Sequence, residues 1–93
     1  MERKQRALIT VIGKDEVGIV AAVASLLAAN KVNILEINQS IMAGFFYMIM
    51  LVDLEKSNLT LSELSDKLKK LGKKIGQEIT VQDEKIIQAM HRI

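Results

Sequence analysis

The residues of this chain whose types and spacing could do chemistry lie between Gly13 and Val20, in the run Gly-Lys-Asp-Glu-Val-Gly-Ile-Val. The run joins a short apolar stretch, Ala7 to Ile12, to a longer one, Ile19 to Ala29. A glycine at a strand end, Gly13, and another in the first turn of a helix, Gly18, let backbone N–H groups point outward with no Cβ in the way. A helix N-terminus favours a carboxylate by roughly 0.3 to 1 kcal/mol before specific hydrogen bonds are counted. Asp15 beside it can accept from an ammonium group, so the loop suits a zwitterion such as a free amino acid. Asp15 is equally an ordinary helix N-cap, which contributes about 1 kcal/mol in many helices that bind nothing. On the residues alone the two readings are evenly matched. There is no Gly-x-Gly-x-x-Gly and no Gly-Lys-Ser/Thr, so nucleotide phosphates are not the expected ligand.

Chemistry is sparse elsewhere. The single histidine, His91, stands near the C-terminal end, and cysteine is absent. No group of residues has metal-ligand spacing, and no serine or threonine is paired with a base in sequence. The carboxylate pairs Asp15-Glu16 and Asp83-Glu84 open helices, where capping and the helix dipole explain them. The expectation is a protein without catalytic residues, metal or cofactor.

Composition narrows the class further. Thirteen basic and eleven acidic residues give a formal charge of +2, too balanced to imply nucleic acid. The cluster Lys67, Lys69, Lys70, Lys73 and Lys74 sits opposite the leucines of a predicted helix and reads as a solvated face. The run Ala43-Gly44-Phe45-Phe46-Tyr47-Met48 partly echoes the third-strand signature of RNA recognition motifs. It lacks the leading basic residue and the final aromatic, which predicts core and interface rather than RNA stacking. Hydrophobic residues make up 49% of the chain and aromatics 3%, so the core must be aliphatic with methionine filling gaps. That is more apolar surface than a chain of 93 residues hides alone, which points to self-association. No apolar run is long enough to span a bilayer and Met1 to Arg6 is polar, so the expected location is cytoplasmic.

The elements that must position the loop follow from periodicity. Ala7, Ile9 and Val11 alternate with Leu8, Thr10 and Ile12 in a strand apolar on both faces. A helix of about Val17 to Ala29 is apolar well beyond one stripe, so it is covered on more than one side. Asn33 opens a second strand running through Ile41, with Leu35, Ile37, Gln39 and Ile41 on one side and Ile34, Glu36, Asn38 and Ser40 on the other. A turn at Met42-Ala43-Gly44 returns the chain as a third strand, Phe45 to Asp53. Thr60-x-x-Glu63 reads as a capping box for a helix with Leu61, Leu64, Leu68, Leu71 and Ile75 in one stripe, loosened at its end by Gly72 and Gly76. Gln77 to Gln82 forms a fourth strand, and Asp83 to Ile93 a terminal helix with Ile86, Ile87, Met90 and Ile93 on one face. The order strand, helix, strand, strand, helix, strand is that of an α+β ferredoxin-like βαββαβ sandwich. It makes one domain, with a core of about residues 6–82 and an extra C-terminal helix.

Ile12-Gly13-Lys14-Asp15-x-x-Gly18-Ile19-Val20, followed a dozen residues later by Val32-Asn33-Ile34, resembles the ACT domain over almost the whole chain. The closing Ala89-Met90-His91-Arg92-Ile93 resembles a family of small stand-alone ACT-domain proteins of bacteria and archaea, and the front half is similar to the glycine-cleavage repressor. The resemblance implies a regulatory module that binds an amino acid between two copies. The loop after the first strand of one copy and the asparagine opening the second strand of the other would hold the ligand. Asp15, Gly18 and Ile19 then fall on one side, and Asn33 and Ile34 on the other; a strand-entry turn is the plainer role for Asn33. Serine-sensing ACT domains present a histidine and an asparagine where this chain has Gly13 and Asp15, so the ligand's identity does not carry over. Gly13 is expected to widen the pocket, and Asp15 to suit an ammonium group while opposing an acidic side chain. The expected assembly is a homodimer, with tetramers as an extension, acting on a partner protein. The alternative is a ligand-free adaptor for protein assembly or transcriptional regulation.

Overall fold

The computed structural model describes residues 5–86. Six elements follow in the order β1 (Arg6–Lys14), α1 (Ile19–Ala29), β2 (Asn33–Met42), β3 (Phe45–Asp53), α2 (Leu61–Ile75) and β4 (Gln77–Asp83). The strands form one sheet in the order β2-β3-β1-β4, with every neighbouring pair antiparallel. The first strand is therefore central, and β2 and β4 are the edges. This is the expected ferredoxin-like arrangement.

Both helices cover one face. Ile19, Val23 and Leu27 of α1 and Leu64 and Leu68 of α2 join the inward residues of the sheet in a single buried cluster. Strand alternation assigns the two faces: Ala7, Ile9 and Val11 of β1 and Phe46, Met48, Met50 and Val52 of β3 are buried against the helices. Their neighbours Leu8, Ile12, Tyr47, Ile49 and Leu51 point to the other, outer face, where they are half-buried or exposed.

The second strand departs from the expected alternation. Ile34 pairs with Val52 and Glu36 with Leu51, so Leu35 is the extra residue of a β-bulge. The bulge moves Ile34 to the helix side together with Ile37, Gln39 and Ile41, and leaves Glu36, Asn38 and Ser40 on the outer face. Ile34 thus packs against the core, contrary to the face on which simple alternation puts it.

The two helices begin for different reasons. At α2 the Thr60 hydroxyl accepts from the Glu63 N–H at 3.1 Å, and the Thr60 N–H donates to Glu63 Oε1 at 2.9 Å, completing the expected capping box. Thr60→Ala should cost about 1 kcal/mol and lower the melting temperature by roughly 4–8 °C, measured by circular dichroism. The predicted lysine face is solvent-exposed throughout. At α1 the helix starts two residues later than expected: its N-cap is Gly18, in a left-handed conformation (φ 89°) with no side-chain cap. Gly72, read above as a loosening residue, instead lets β4 approach. A Cβ there would lie 2.5 Å from the Gln77 carbonyl oxygen and 3.3 Å from the Ile79 side chain.

Beyond β4, residues 84–86 are helical. Arg6 Nε donates to Glu84 Oε1 at 2.9 Å, and Nη2 donates to Oε2. That hydrogen bond, and then the charge of Glu84, hold the Arg6 guanidinium still more firmly protonated than usual. The remainder of the expected C-terminal helix, residues 87–93 with His91, lies outside the described residues.

Candidate functional site

β1 ends at Lys14, and Asp15, Glu16, Val17 and Gly18 form an exposed loop before α1. The Asp15 N–H donates to the Gly44 carbonyl at 3.0 Å, tying the loop to the turn between β2 and β3. Gly18 takes a backbone conformation that a side chain with a branched Cβ would strain by roughly 1–3 kcal/mol. The expected cap role for Asp15 is not the one taken, because its carboxylate makes no cap hydrogen bond to α1. The first turn of α1 carries no acidic residue either, so its leading N–H groups meet no side-chain acceptor of their own helix. Ile19 turns its side chain into the core, only 3% exposed, and can present only its backbone to a ligand.

Gly13 does not open a pocket. A Cβ on it would come within 2.6 Å of Gln77 Oε1 and 2.8 Å of Gln77 Nε2, so the Gln77 amide occupies that space. Gln77 is buried, and its Nε2 donates to the Lys14 carbonyl at 2.8 Å, pinning the strand end from which the loop departs. The bond to a carbonyl acceptor fixes the orientation of the amide, since the reverse would oppose two oxygens. Its Oε1 finds no hydrogen-bond partner among the described residues. Sequence reasoning missed this residue; the available signal was that Gln77 shares its parity with Ile79 and Val81, the inward side of β4.

Asn33 stands at the other end of the sheet. It pairs with Asp53, which pairs in turn with Arg6, whereas the loop adjoins the opposite end, where Lys14 pairs with Phe45. An exposed cleft of about 380 Å³ opens beside Asn33, bounded by Ala28, Lys31, Val32, Asp53 and Lys56. Ten residues of β2 separate the two ends, roughly 30 Å at about 3.3 Å per residue. Within one chain the structure therefore gathers Gly13, Asp15, Gly18 and Ile19 at one end and Asn33 and Ile34 at the other. Strand β2 between them is an open edge, exposed at nearly every position, with Ile37 and Ile41 uncovered on its helix side.

A four-stranded antiparallel sheet in this order with two helices on one face defines an α+β domain of the ferredoxin-like class. The chain belongs to the ACT-domain family, whose model matches residues 5–82. It is 50% identical over 88 residues to the UPF0237 protein of Clostridium acetobutylicum, covering 95% of this chain and 99% of that one. It is 51% identical over 89 residues to the UPF0237 protein of Methanococcus maripaludis, covering 96% and 99%. The structure resembles an ACT domain protein from Streptococcus pneumoniae with a TM-score of 0.81 at 31% identity, covering 94% and 98% of the two chains. A protein assigned as a glycine cleavage system transcriptional repressor shares the fold, with a TM-score of 0.78 at 23% identity; the match covers 88% of this chain and 47% of that one. ACT domains are regulatory ligand-binding modules. No helix among the described residues is long and apolar enough to cross a membrane.

Proposed function

We propose that the chain is a homodimeric sensor of a free amino acid, with each ligand held between the β1–α1 loop of one copy and the start of β2 of the other, and that its liganded state regulates a partner protein. The observation that carries this reading is the split of the candidate residues to opposite ends of an open edge strand. A small zwitterion cannot bridge roughly 30 Å within one chain. Two copies of β2 paired antiparallel set Asn33 of one opposite Met42 of the other, beside the turn to which the Asp15 backbone is bonded. The same pairing covers the exposed edge, with Ile37 and Ile41 close to the contact. The uncapped N-terminus of α1 receives the ligand carboxylate and Asp15 its ammonium group.

The alternative, a ligand-free adaptor, draws support from Val17, which is wholly exposed at the loop tip and suits an apolar contact with a protein. One experiment separates the two. Melting temperatures measured with each of the twenty amino acids should rise for one ligand or a small group, because a ligand binding only the folded state stabilises it by mass action. Asp15→Ala and Asn33→Ala should each abolish that rise, while mixing the two variants and allowing subunit exchange restores binding at one of the two sites in every mixed dimer. Absence of any shift favours the adaptor. Binding that survives in a strictly monomeric sample, or no recovery in the exchanged mixture, would overturn the site between two copies.

A further inference from the structure

We propose that the cleft beside Asn33 is a second binding site, one that takes a small dianion of phosphate or dicarboxylate type between the side chains of Lys31 and Lys56. The cleft measures about 380 Å³, within the range of small-molecule pockets, and is built wholly from one chain. It therefore goes beyond the site shared by two copies, and stands or falls apart from it. Ala28 and the buried Val32 give it an apolar wall, and Asn33 contributes a neutral amide. Its carboxylates are already engaged. Asp53 Oδ1 accepts from the Glu55 N–H at 2.8 Å, and Asp53 lies within electrostatic reach of the Arg6 guanidinium; Glu55 has an interaction partner of its own. Lys31 and Lys56 differ: both are exposed, and neither has a carboxylate partner among the described residues. Two unpaired ammonium groups beside an apolar wall match a ligand with two negative charges, since each is a point charge with three donors for phosphate or carboxylate oxygens.

Lys31 is held at this cleft at a cost in backbone strain. Its conformation is left-handed (φ 59°), and it follows the C-cap Asn30 at the position that helices usually give to glycine. The Lys31 N–H donates to the Ala28 carbonyl at 3.1 Å and the Val32 N–H to the Leu27 carbonyl at 2.9 Å, the paired bonds of a Schellman motif. Leu27 and Val32 are both buried, so the motif cannot relax without giving up core contacts. Glycine would end α1 with the same bonds and no Cβ strain. A lysine there sacrifices stability for a side chain at the cleft, and residues strained in this way cluster at ligand sites. Lys56 stands on fixed backbone as well. In the turn after β3 the Leu54 N–H donates to the Gln5 carbonyl at 2.9 Å, the Ser57 N–H to the Leu54 carbonyl at 3.0 Å and the Leu59 N–H to Ser57 Oγ at 3.1 Å. Both cations thus rise from anchored segments, which lessens the ordering required on binding.

Nuclear magnetic resonance titration of the isotope-labelled protein with inorganic phosphate, and separately with succinate, at constant ionic strength tests this. Backbone amide shifts at Lys31, Asn33 and Lys56 should saturate, and the anion that saturates them at the lower concentration identifies the group the site prefers. Lys31→Gly and Lys56→Gln should each weaken binding by about tenfold, the loss of one hydrogen bond from a charged donor. Lys31→Gly should at the same time raise the melting temperature by relieving the strain, so its weaker binding would not reflect unfolding. Lys69→Gln, on the exposed face of α2, and Asp15→Ala, in the β1–α1 loop, should both bind as the parent does. Shifts that never saturate, shifts confined to Gly18 and Ile19, or equal weakening by Lys69→Gln would overturn the proposal. Undiminished binding by Lys31→Gly would count equally against it.

Discussion

A Gly72→Ala variant should melt about 5–15 °C below the parent chain, reversing the sign that helix propensity assigns to the change. In an exposed helix interior, alanine is the better residue by about 1 kcal/mol. Here the new methyl group would meet the Gln77 carbonyl oxygen at 2.5 Å, a backbone atom with no rotamer to change. Gln77 cannot retreat easily, because it opens β4 and pairs with Gly13 of the central strand. Overpacking against a fixed backbone atom costs about 2–3 kcal/mol, the upper part of the usual range, so a net loss of about 1–2 kcal/mol remains after the propensity gain. For a domain of this size each kcal/mol moves the transition by roughly 4–8 °C. Thermal unfolding followed by circular dichroism decides it, and a midpoint equal to or above the parent's would refute the close approach.

Leu27→Ala should be costlier still, at about 2–5 kcal/mol out of a total stability of roughly 5–15 kcal/mol. Leu27 is fully buried and, with Ile19 and Val23, is one of three buried residues through which α1 is held. The Asn30 amide caps its C-terminal end by donating to the Leu26 carbonyl at 2.8 Å, but the N-terminal end has no capping side chain and no acidic residue in its first turn. A helix of 11 residues is marginal without tertiary contacts. Its loss takes with it the loop that carries Asp15 and Gly18. Urea unfolding should show a lower midpoint with a broadly similar slope, and ligand binding should weaken in step with the folded fraction. An unshifted midpoint would mean that α1 is held by something other than this packing.

The sheet was legible in the residues because β1 and β3 are short apolar runs bounded by polar or turn residues, and α2 because its leucine stripe and capping box agree. What escaped depends on pairing between distant residues. The start of α1 was misplaced because Val17 extends an apolar run, yet it is wholly exposed at the loop tip. Ile34 was put on the wrong face because a bulge at Leu35 changes the parity of β2, and only the partner strand reveals a bulge. The role of Gly13 was inverted for a similar reason. The Gln77 amide that fills the space above it belongs to a strand reached only after two helices, and it bonds to a carbonyl 63 residues away in sequence. The candidate ligand residues were all identifiable as types, but their division between the two ends of the sheet is a property of strand order.

That strand order also sets a timetable. β1 is the first element synthesised, yet both of its neighbours come later, β3 after the first helix and hairpin and β4 last of all. A sheet whose central strand makes only long-range pairings folds more slowly than a helical bundle of its size. No proline is present to add an isomerisation delay. During translation at about 5–20 residues per second, the interval between completion of β3 and of β4 lasts a few seconds. Throughout it, one edge of β1 with its run of aliphatic side chains is open to pairing with any other extended segment, so the nascent chain is most exposed to aggregation at the stage when most of its sheet has already formed.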